Sequence, residues 1–293
     1  MKKQLFFFFL ILTLLSSFCW PEPALAARGT PTSLEFARGI WLDVNNRTFE
    51  SDLRSAVALK VDWVNVDYDW GALSASAEKS QSFANALKLL KSANLSVVVS
   101  LINAPKTAQS LDGPNADQTA ALVSKLISDY PQILAIEIFP MANLKARWGS
   151  KPNPTGYASL LQKVEARIRL EKKSTLIIAG GLSNLIYERD DMPAPAYLQK
   201  FYESKYYPAL ISLRFRNLSS DLLRSNTENC LRYYEQAREI MLKNNHRSGL
   251  IWLMEAKPQL NENITWYQKA TDLARAQLYM GAIFYNSTLA VAK

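Results

Sequence analysis

The sequence predicts an α/β fold in which eight parallel strands and their helices close into a single-domain (β/α)8, or TIM, barrel. Short runs rich in Val and Ile alternate with helical patterns from one end of the chain to the other. Several of these runs are apolar almost throughout, as are strands that are covered on both faces. Eight such runs with seven helical segments between them are the count expected of this barrel.

The strand candidates, in chain order, are residues 38–44, 61–67, 95–102, 132–139, 174–180, 208–215, 248–255 and 280–286. The helical patterns lie at roughly 48–59, 77–93, 116–129, 154–171, 194–204, 227–244 and 263–279. In the third, Ala120, Val123 and Ile127 belong to one apolar stripe at helical spacing. Asn115 is the expected N-cap of this helix, and Asn226 or Thr227 that of the sixth.

A doubly wound open sheet is the alternative fold. It would normally carry a Gly-rich turn after the first strand, but Asp43–Arg47 has no glycine. After the last strand only Ser287–Lys293 remains, so we expect the eighth helix to be short or missing. The outside of strands 8 and 1 should then be thinly covered, with residues 27–36 or a protein partner packing there.

The N-terminus has the pattern of a secretory signal peptide. Lys2 and Lys3 precede an apolar run from Leu5 to Leu15, and Ala24-Leu25-Ala26 forms a small-x-small cleavage site. We therefore expect residues 1–26 to be removed, leaving a barrel domain of residues 27–293 that is secreted or periplasmic. No later stretch reaches the roughly 18 apolar residues of a transmembrane helix.

Composition excludes several classes of function. The formal charge of +8 is spread along the chain, and no nucleic-acid-binding motif is present, so we expect no nucleic-acid partner. Cys19 lies in the signal peptide, which leaves Cys230 alone, and the single histidine, His246, is expected on the surface. We predict no metal site and no cofactor, and any catalysis would depend on carboxylates.

In a barrel of this kind, side chains at the carboxyl ends of the strands form the site. The candidates at this rim are Asp67, Asp69, Trp70, Asn143, Trp148, Arg214, Glu255 and Tyr285. Aromatic rings stack on the apolar faces of sugars, while amides and carboxylates bind hydroxyl groups, so this set indicates a carbohydrate ligand. Glu137 is interpreted as a buried carboxylate that an Arg or Lys holds inside the barrel.

A family resemblance supports this interpretation. Residues 136–144 (IEIFPMANL), followed by Trp148 and by residues 152–157 (PNPTGY), resemble the fourth-strand motif of the retaining glycoside hydrolases of clan A. Residues 94–101, 179–182, 253–257 and 280–285 are similar to that family's third, fifth, seventh and eighth strand segments. The likeness spans about residues 38–286 in the right order, and it implies a (β/α)8 barrel that acts on glycosidic bonds.

The chain departs from this motif at positions that the family uses for catalysis. The acid/base Glu aligns with Met141 and the preceding Asn with Pro140, whereas the nucleophile position is kept as Glu255. A thioether cannot donate a proton to a leaving oxygen. Glu255 is therefore one of two things. It is a nucleophile that requires a displaced acid, for which Asp67, Asp69, Glu188 and Asp190 are available, or it is a rim carboxylate that pairs with Lys257 or Arg214 or simply binds a hydroxyl group.

The sequence thus predicts an exported glycoside hydrolase-like barrel that has lost catalysis and binds or scaffolds an envelope or extracellular polysaccharide or oligosaccharide. One alternative is an active retaining glycosidase in which Glu255 attacks. The other is a protein-interaction module without a sugar site, whose partner in the envelope binds near the C-terminal edge.

Overall fold

The computed structural model describes residues 36–171, 173–224, 227–260 and 264–286. Eight parallel strands form a closed barrel in which each strand pairs with its neighbours in sequence, and the last pairs with the first. They are β1 (Ala37–Trp41), β2 (Trp63–Asp69), β3 (Ser96–Ile102), β4 (Ile133–Ile138), β5 (Leu176–Ser183), β6 (Leu210–Leu218), β7 (Leu250–Pro258) and β8 (Met280–Asn286). The predicted barrel is confirmed, and the open sheet is excluded.

Helices connect the strands on the outside of the barrel. They are α1 (Phe49–Ala58), α2 (Trp70–Ala75), α3 (Ala77–Ser92), α4 (Ala116–Asp129), α5 (Lys145–Trp148), α6 (Pro154–Leu170), α7 (Ala194–Phe201), α8 (Tyr234–Lys243) and α9 (Ile264–Arg275). Among the elements that escaped prediction, all of them short, are helices α2 and α5 and a two-stranded ribbon of Gln109–Ser110 and Gly113–Pro114. The predicted signal peptide and the chain after Asn286 lie outside the described residues.

The caps show where local sequence signals were reliable. Asn115 caps α4 as predicted, because its side chain accepts a hydrogen bond from the Gln118 amide at 3.0 Å. The prediction that the sixth long helix begins near residue 227 was wrong, since α8 begins at Tyr234. Thr227 does not cap it, because its hydroxyl bonds Asn229 and Cys230 within the preceding turn.

The barrel interior is filled in layers. Trp63, Trp252 and Phe284 lie in a buried apolar cluster to which every strand contributes, with ring centroids 5.3 and 5.9 Å apart. A Cβ at Gly39 would lie 2.1 Å from the Phe284 ring, so this position requires glycine. Because side chains alternate along a strand, the next inward residues form a separate layer nearer the carboxyl ends of the strands.

The expectation of a short or missing eighth helix concerns residues 287–293, which lie outside the described part of the chain. The described residues do form a groove on the exterior of the barrel. A groove of about 460 Å³ runs along β1 between the end of α1 and α9, and Leu59, Val61, Ile264 and Tyr285 are among its lining residues. Within the described part of the chain, no helix is long and apolar enough to cross a membrane.

The expected surface position of His246 was wrong. Its ring is 4% exposed, its Nδ1 lies 2.7 Å from the Tyr202 hydroxyl, and it contacts the Tyr207 ring. Burial is the main cause of the lowered pKa of His246, and the Arg238 charge adds to it. A polar-looking turn therefore carries a histidine that packs between tyrosines far along the chain, which local composition does not indicate.

Candidate functional site

A small depression of about 100 Å³ opens at the carboxyl ends of the strands. Its lining side chains come from the ends of six strands and from the segment after β4: Trp41, Asp67, Ile102, Pro140, Met141, Arg147, Arg214, Arg216, Met254, Glu255 and Asn286. Three residues of the predicted set, Asp67, Arg214 and Glu255, meet here. The rim is the place where barrels of this kind bind their ligands.

A buried polar layer supports the depression from below. The Arg214 guanidinium forms an ion pair with the Glu137 carboxylate, and these side chains are 6% and 0% exposed. Ser100 donates to Glu137 at 2.7 Å and accepts from Arg214 and from Asn65, each at 2.8 Å. The prediction of a buried Glu137 held by a basic residue inside the barrel is confirmed.

Glu255 stands at the end of β7 and is mostly buried, at 8% exposure. Arg216 Nε lies 2.9 Å from each of its two carboxylate oxygens, and Arg214 Nη1 lies 4.0 Å from Oε2. Its principal partner is therefore Arg216, whereas the sequence had suggested Lys257 or Arg214. A charge-assisted contact of this kind holds the carboxylate in a defined orientation.

Asp67 enters the depression from β2. Burial raises the pKa of its carboxyl above the ordinary value, opposed in turn by the Arg214 charge and by a hydrogen bond with the Trp41 side chain. The nearby Glu137 charge adds to the increase. Burial therefore favours the protonated form of the Asp67 carboxyl more than exposure to water would.

The segment after β4 has an unusual backbone. Phe139 and Met141 have φ angles of +44° and +62°, a left-handed conformation that side chains other than glycine rarely adopt. Hydrogen bonds hold it, since Phe139 N donates to Leu101 O at 3.0 Å and Met141 N donates to Gly181 O at 2.9 Å. A Cβ at Gly181 would lie 2.5 Å from Pro140, so glycine permits this close approach.

Arg147 reaches the depression from α5, the single turn that follows this segment. The turn is anchored by Trp148, which is 1% exposed and donates its indole N–H to Asp112 O at 2.9 Å. Trp148 also packs edge-on against Phe139 and Tyr157. It is a core residue, so the suggestion that it offers a stacking face to a sugar is corrected.

Four other predicted residues also lie away from the depression, where they have structural roles. Trp70 is 8% exposed and begins α2, and Asp69 caps that helix by accepting from the Ala72 amide at 2.9 Å. Asp69 also accepts from the Asn103 side chain at 2.8 Å.

Asn143 is fully buried and exchanges hydrogen bonds with the Ser183 backbone, accepting at 2.9 Å and donating at 3.1 Å. The Tyr285 hydroxyl lies 2.6 Å from that of Thr271 and donates to Tyr267 O at 2.9 Å, which places it along the outer groove. The predicted convergence of aromatic and amide side chains with Glu255 on one cleft is therefore not what the fold produces.

Sequence reasoning missed Trp41, Ile102, Arg147 and Met254. The first was overlooked because strand 1 was predicted to continue to residue 44, whereas β1 ends at Trp41. Alternation from Trp63 through Asn65 to Asp67 was a usable signal for the inward face of β2. Within the described ranges, no three His, Cys, Asp or Glu side chains are grouped to hold a metal ion.

Comparison with known proteins identifies the class of fold. No family model and no curated protein matches the chain. A GH30 endoxylanase from Clostridium papyrosolvens superposes with a TM-score of 0.54 at 11% identity over 86% of this chain and 65% of its own. The chain thus spans less than two thirds of that enzyme.

Two further structures have similar scores. The family 1 β-glucosidase from Thermotoga maritima gives a TM-score of 0.53 at 9% identity, with 87% of this chain and 88% of its own covered. A xylanase-A-amylase inhibitor protein, XAIP-III, gives 0.53 at 14%, covering 87% and 94%. The chain is a (β/α)8 barrel with the fold of glycoside hydrolases. Because the same barrel hosts different functions, the residues of the site must indicate the chemistry.

Proposed function

We propose that this chain is an exported glycoside hydrolase-like barrel that binds or scaffolds an envelope or extracellular polysaccharide without hydrolysing it. The chemistry of the depression carries this proposal. Met141 and Pro140 line it where the resemblance to glycoside hydrolases expects an acid/base and an amide. Retaining hydrolysis needs two carboxyl groups about 5–5.5 Å apart, one attacking and one protonating, and a thioether supplies no proton.

The remaining lining suits contact with a sugar. Arg216 orients the Glu255 carboxylate, whose remaining lone pairs can accept hydrogen bonds from hydroxyl groups of a ligand. Trp41, Ile102 and Met254 contribute apolar surface beside it, and an aromatic ring beside charged groups matches the amphipathic faces of a pyranose.

The small volume of the depression favours surface contact with part of a long ligand over a pocket that encloses a small molecule. Its volume of about 100 Å³ is below the roughly 300–1,000 Å³ of pockets that surround a small molecule. A site of this size contacts one or two units of a longer chain at the surface. That geometry suits recognition or scaffolding of a polymer.

One observation favours the alternative of an active retaining glycosidase. Asp67 lines the same depression as Glu255, and its raised pKa is the property required of a displaced general acid. In this alternative Glu255 attacks and Asp67 protonates the leaving oxygen.

Aryl glycosides with activated leaving groups separate these two functions, because their departure needs no general acid. We would compare wild type, Glu255→Gln and Asp67→Asn for aryl release, and include Met141→Glu beside Met141→Gln as a matched pair. We expect no turnover from wild type. Turnover that Glu255→Gln abolishes would refute the loss of catalysis, and its dependence on Asp67 with unactivated substrates would identify the displaced acid.

Binding is tested on the same proteins with a glycan array and affinity electrophoresis in polysaccharide gels. We expect wild type to be retained and Glu255→Gln to be retained less. Export is tested by N-terminal sequencing of the mature protein, which should begin at Ala27. Absence of binding to any glycan would favour the protein-interaction alternative.

A further inference from the structure

The depression and the layer beneath it contain equal numbers of carboxyl and guanidinium side chains. Asp67, Glu137 and Glu255 are the carboxylates, and Arg147, Arg214 and Arg216 are the guanidinium groups. Not every guanidinium group is paired with a carboxylate, however, and the unpaired one indicates what kind of ligand the depression binds.

Two of the three arginines are occupied by protein carboxylates. Arg214 lies inside the barrel on Glu137, and Arg216 bonds both oxygens of Glu255. These pairs neutralise most of the charge at the base of the depression. Asp67, the third carboxylate, forms its hydrogen bond with the Trp41 side chain.

Arg147 is the third cation, and it has no such partner. Within the described part of the chain its guanidinium forms no ion pair or side-chain hydrogen bond, although it lies near enough to Asp67 to lower that carboxyl's pKa. It is exposed, yet its helix is fixed by the buried Trp148 and by Lys145, whose amide donates to Asp191 at 2.8 Å. A rigid base therefore presents an unpaired guanidinium at the edge of the depression.

A guanidinium in this setting has a chemical preference. Its planar donors match the two oxygens of a carboxylate, and such bidentate contacts are stronger than those of neutral groups. The formal charge of +8 on the whole chain also favours the approach of an acidic polymer. A neutral glycan offers Arg147 only hydroxyl and ether oxygens, which are weaker acceptors for a guanidinium than a carboxylate is.

We infer that the ligand is a uronic acid-containing glycan and that Arg147 binds its carboxylate while Glu255 and Trp41 contact the sugar ring. This inference rests on the proposed function, since it names the ligand class of the same depression. No bond is made or broken in this interaction.

The test uses polymers that differ only in the carboxylate. Polygalacturonate, alginate and hyaluronan would each be titrated by calorimetry beside their carboxyl-reduced forms, against the full mature chain at about 150 mM salt, where long-range charge attraction is screened. Arg147→Gln is compared with Arg54→Gln, which removes the same charge from an exposed position on α1, where Arg54 pairs only loosely with Glu50 at 3.9 Å. Arg147→Lys keeps the charge but loses the planar fork.

We expect at least one uronate polymer to bind, and its affinity to fall roughly ten- to hundredfold in Arg147→Gln, the range for a lost hydrogen bond to a charged group. Arg147→Lys should give an intermediate loss and Arg54→Gln little change. Equal losses in Arg147→Gln and Arg54→Gln would overturn the inference in favour of general charge attraction.

The carboxyl-reduced polymers could bind as tightly as the native ones, with the same affinity in wild type and Arg147→Gln. That result would overturn the inference but leave glycan binding in place. If no polymer in either form binds while all variants unfold at the wild-type temperature, the inference fails. The proposed function fails with it only if the glycan array also finds no ligand.

Discussion

The buried ion pair beneath the depression gives the sharpest prediction about stability. Glu137→Gln keeps the size of the side chain but removes its charge. The Arg214 side chain, which is only 6% exposed, then has no main counter-charge. The amide oxygen that replaces the carboxylate would still accept hydrogen bonds from Ser100 and Arg214, so the change isolates the charge rather than the packing.

The expected cost follows from the surroundings of Arg214. Breaking a buried ion pair from one side typically costs about 3–5 kcal/mol, because a desolvated charge remains. Glu255 lies 4.0 Å from Arg214 and takes over part of the compensation, so we expect the lower end, about 3 kcal/mol. That is a large share of the roughly 5–15 kcal/mol by which a folded domain is stable.

Urea unfolding at neutral pH, followed by far-ultraviolet circular dichroism, measures this cost. With a slope of about 3 kcal/mol per molar urea, the midpoint should fall by roughly 1 M. The double variant Glu137→Gln with Arg214→Met removes the stranded charge and should recover at least half of the loss. Two results would refute the reasoning. One is a loss of unfolding free energy below about 1 kcal/mol in Glu137→Gln, and the other is a double variant whose loss equals the sum of the losses in Glu137→Gln and Arg214→Met.

The remaining predictions concern the carboxyl of Asp67 and two buried aromatic side chains. The pKa of Asp67 is raised from 3.8 in the folded protein, so its contribution to stability is greatest below pH 3.8 and is lost as the pH rises through the folded value. Asp67→Asn should therefore gain stability relative to wild type between about pH 4 and pH 7, and a relative loss over that interval would contradict this. Trp148→Ala should cost about 3–5 kcal/mol in urea unfolding because the indole is 1% exposed; a loss under about 1.5 kcal/mol would mean that α5 is not anchored by it. The Tyr157 hydroxyl donates to Ile138 O at 2.6 Å and accepts from Gly180 N at 2.9 Å. Tyr157→Phe should cost about 1–3 kcal/mol by the same assay, and an unchanged midpoint would show that water replaces the hydroxyl.

The fold was largely predictable from the sequence. Apolar strand runs and helical stripes are local patterns, and their alternation leaves few topologies, so eight strand candidates matched the eight strands of the barrel with boundary errors of a few residues. The role of Glu137 was predictable for a related reason. A carboxylate within a buried strand must be paired, and an arginine on a facing strand is the ordinary partner.

The site was less predictable, and the errors have one cause. Trp148, Asn143 and Tyr285 were placed at the rim by their positions after strands, but a position in sequence does not determine the direction of a side chain. Trp148 is drawn into the core by its contacts with Tyr157 and Phe139. Trp41 was missed because an apolar strand contains no local marker of its last residue.

Residue periodicity along the chain was enough to predict the barrel. The alignment of Met141 with an acid/base position and of Glu255 with a nucleophile position is what the resemblance to glycoside hydrolases implies, and it stays a prediction. Which charges meet depends on the folded barrel: Arg216 holds Glu255, Arg214 is committed to Glu137, and Arg147 has no partner of its own among the described residues. These pairings join residues dozens of positions apart, and their distances are set by barrel closure and strand register. Local sequence patterns contain no information about either.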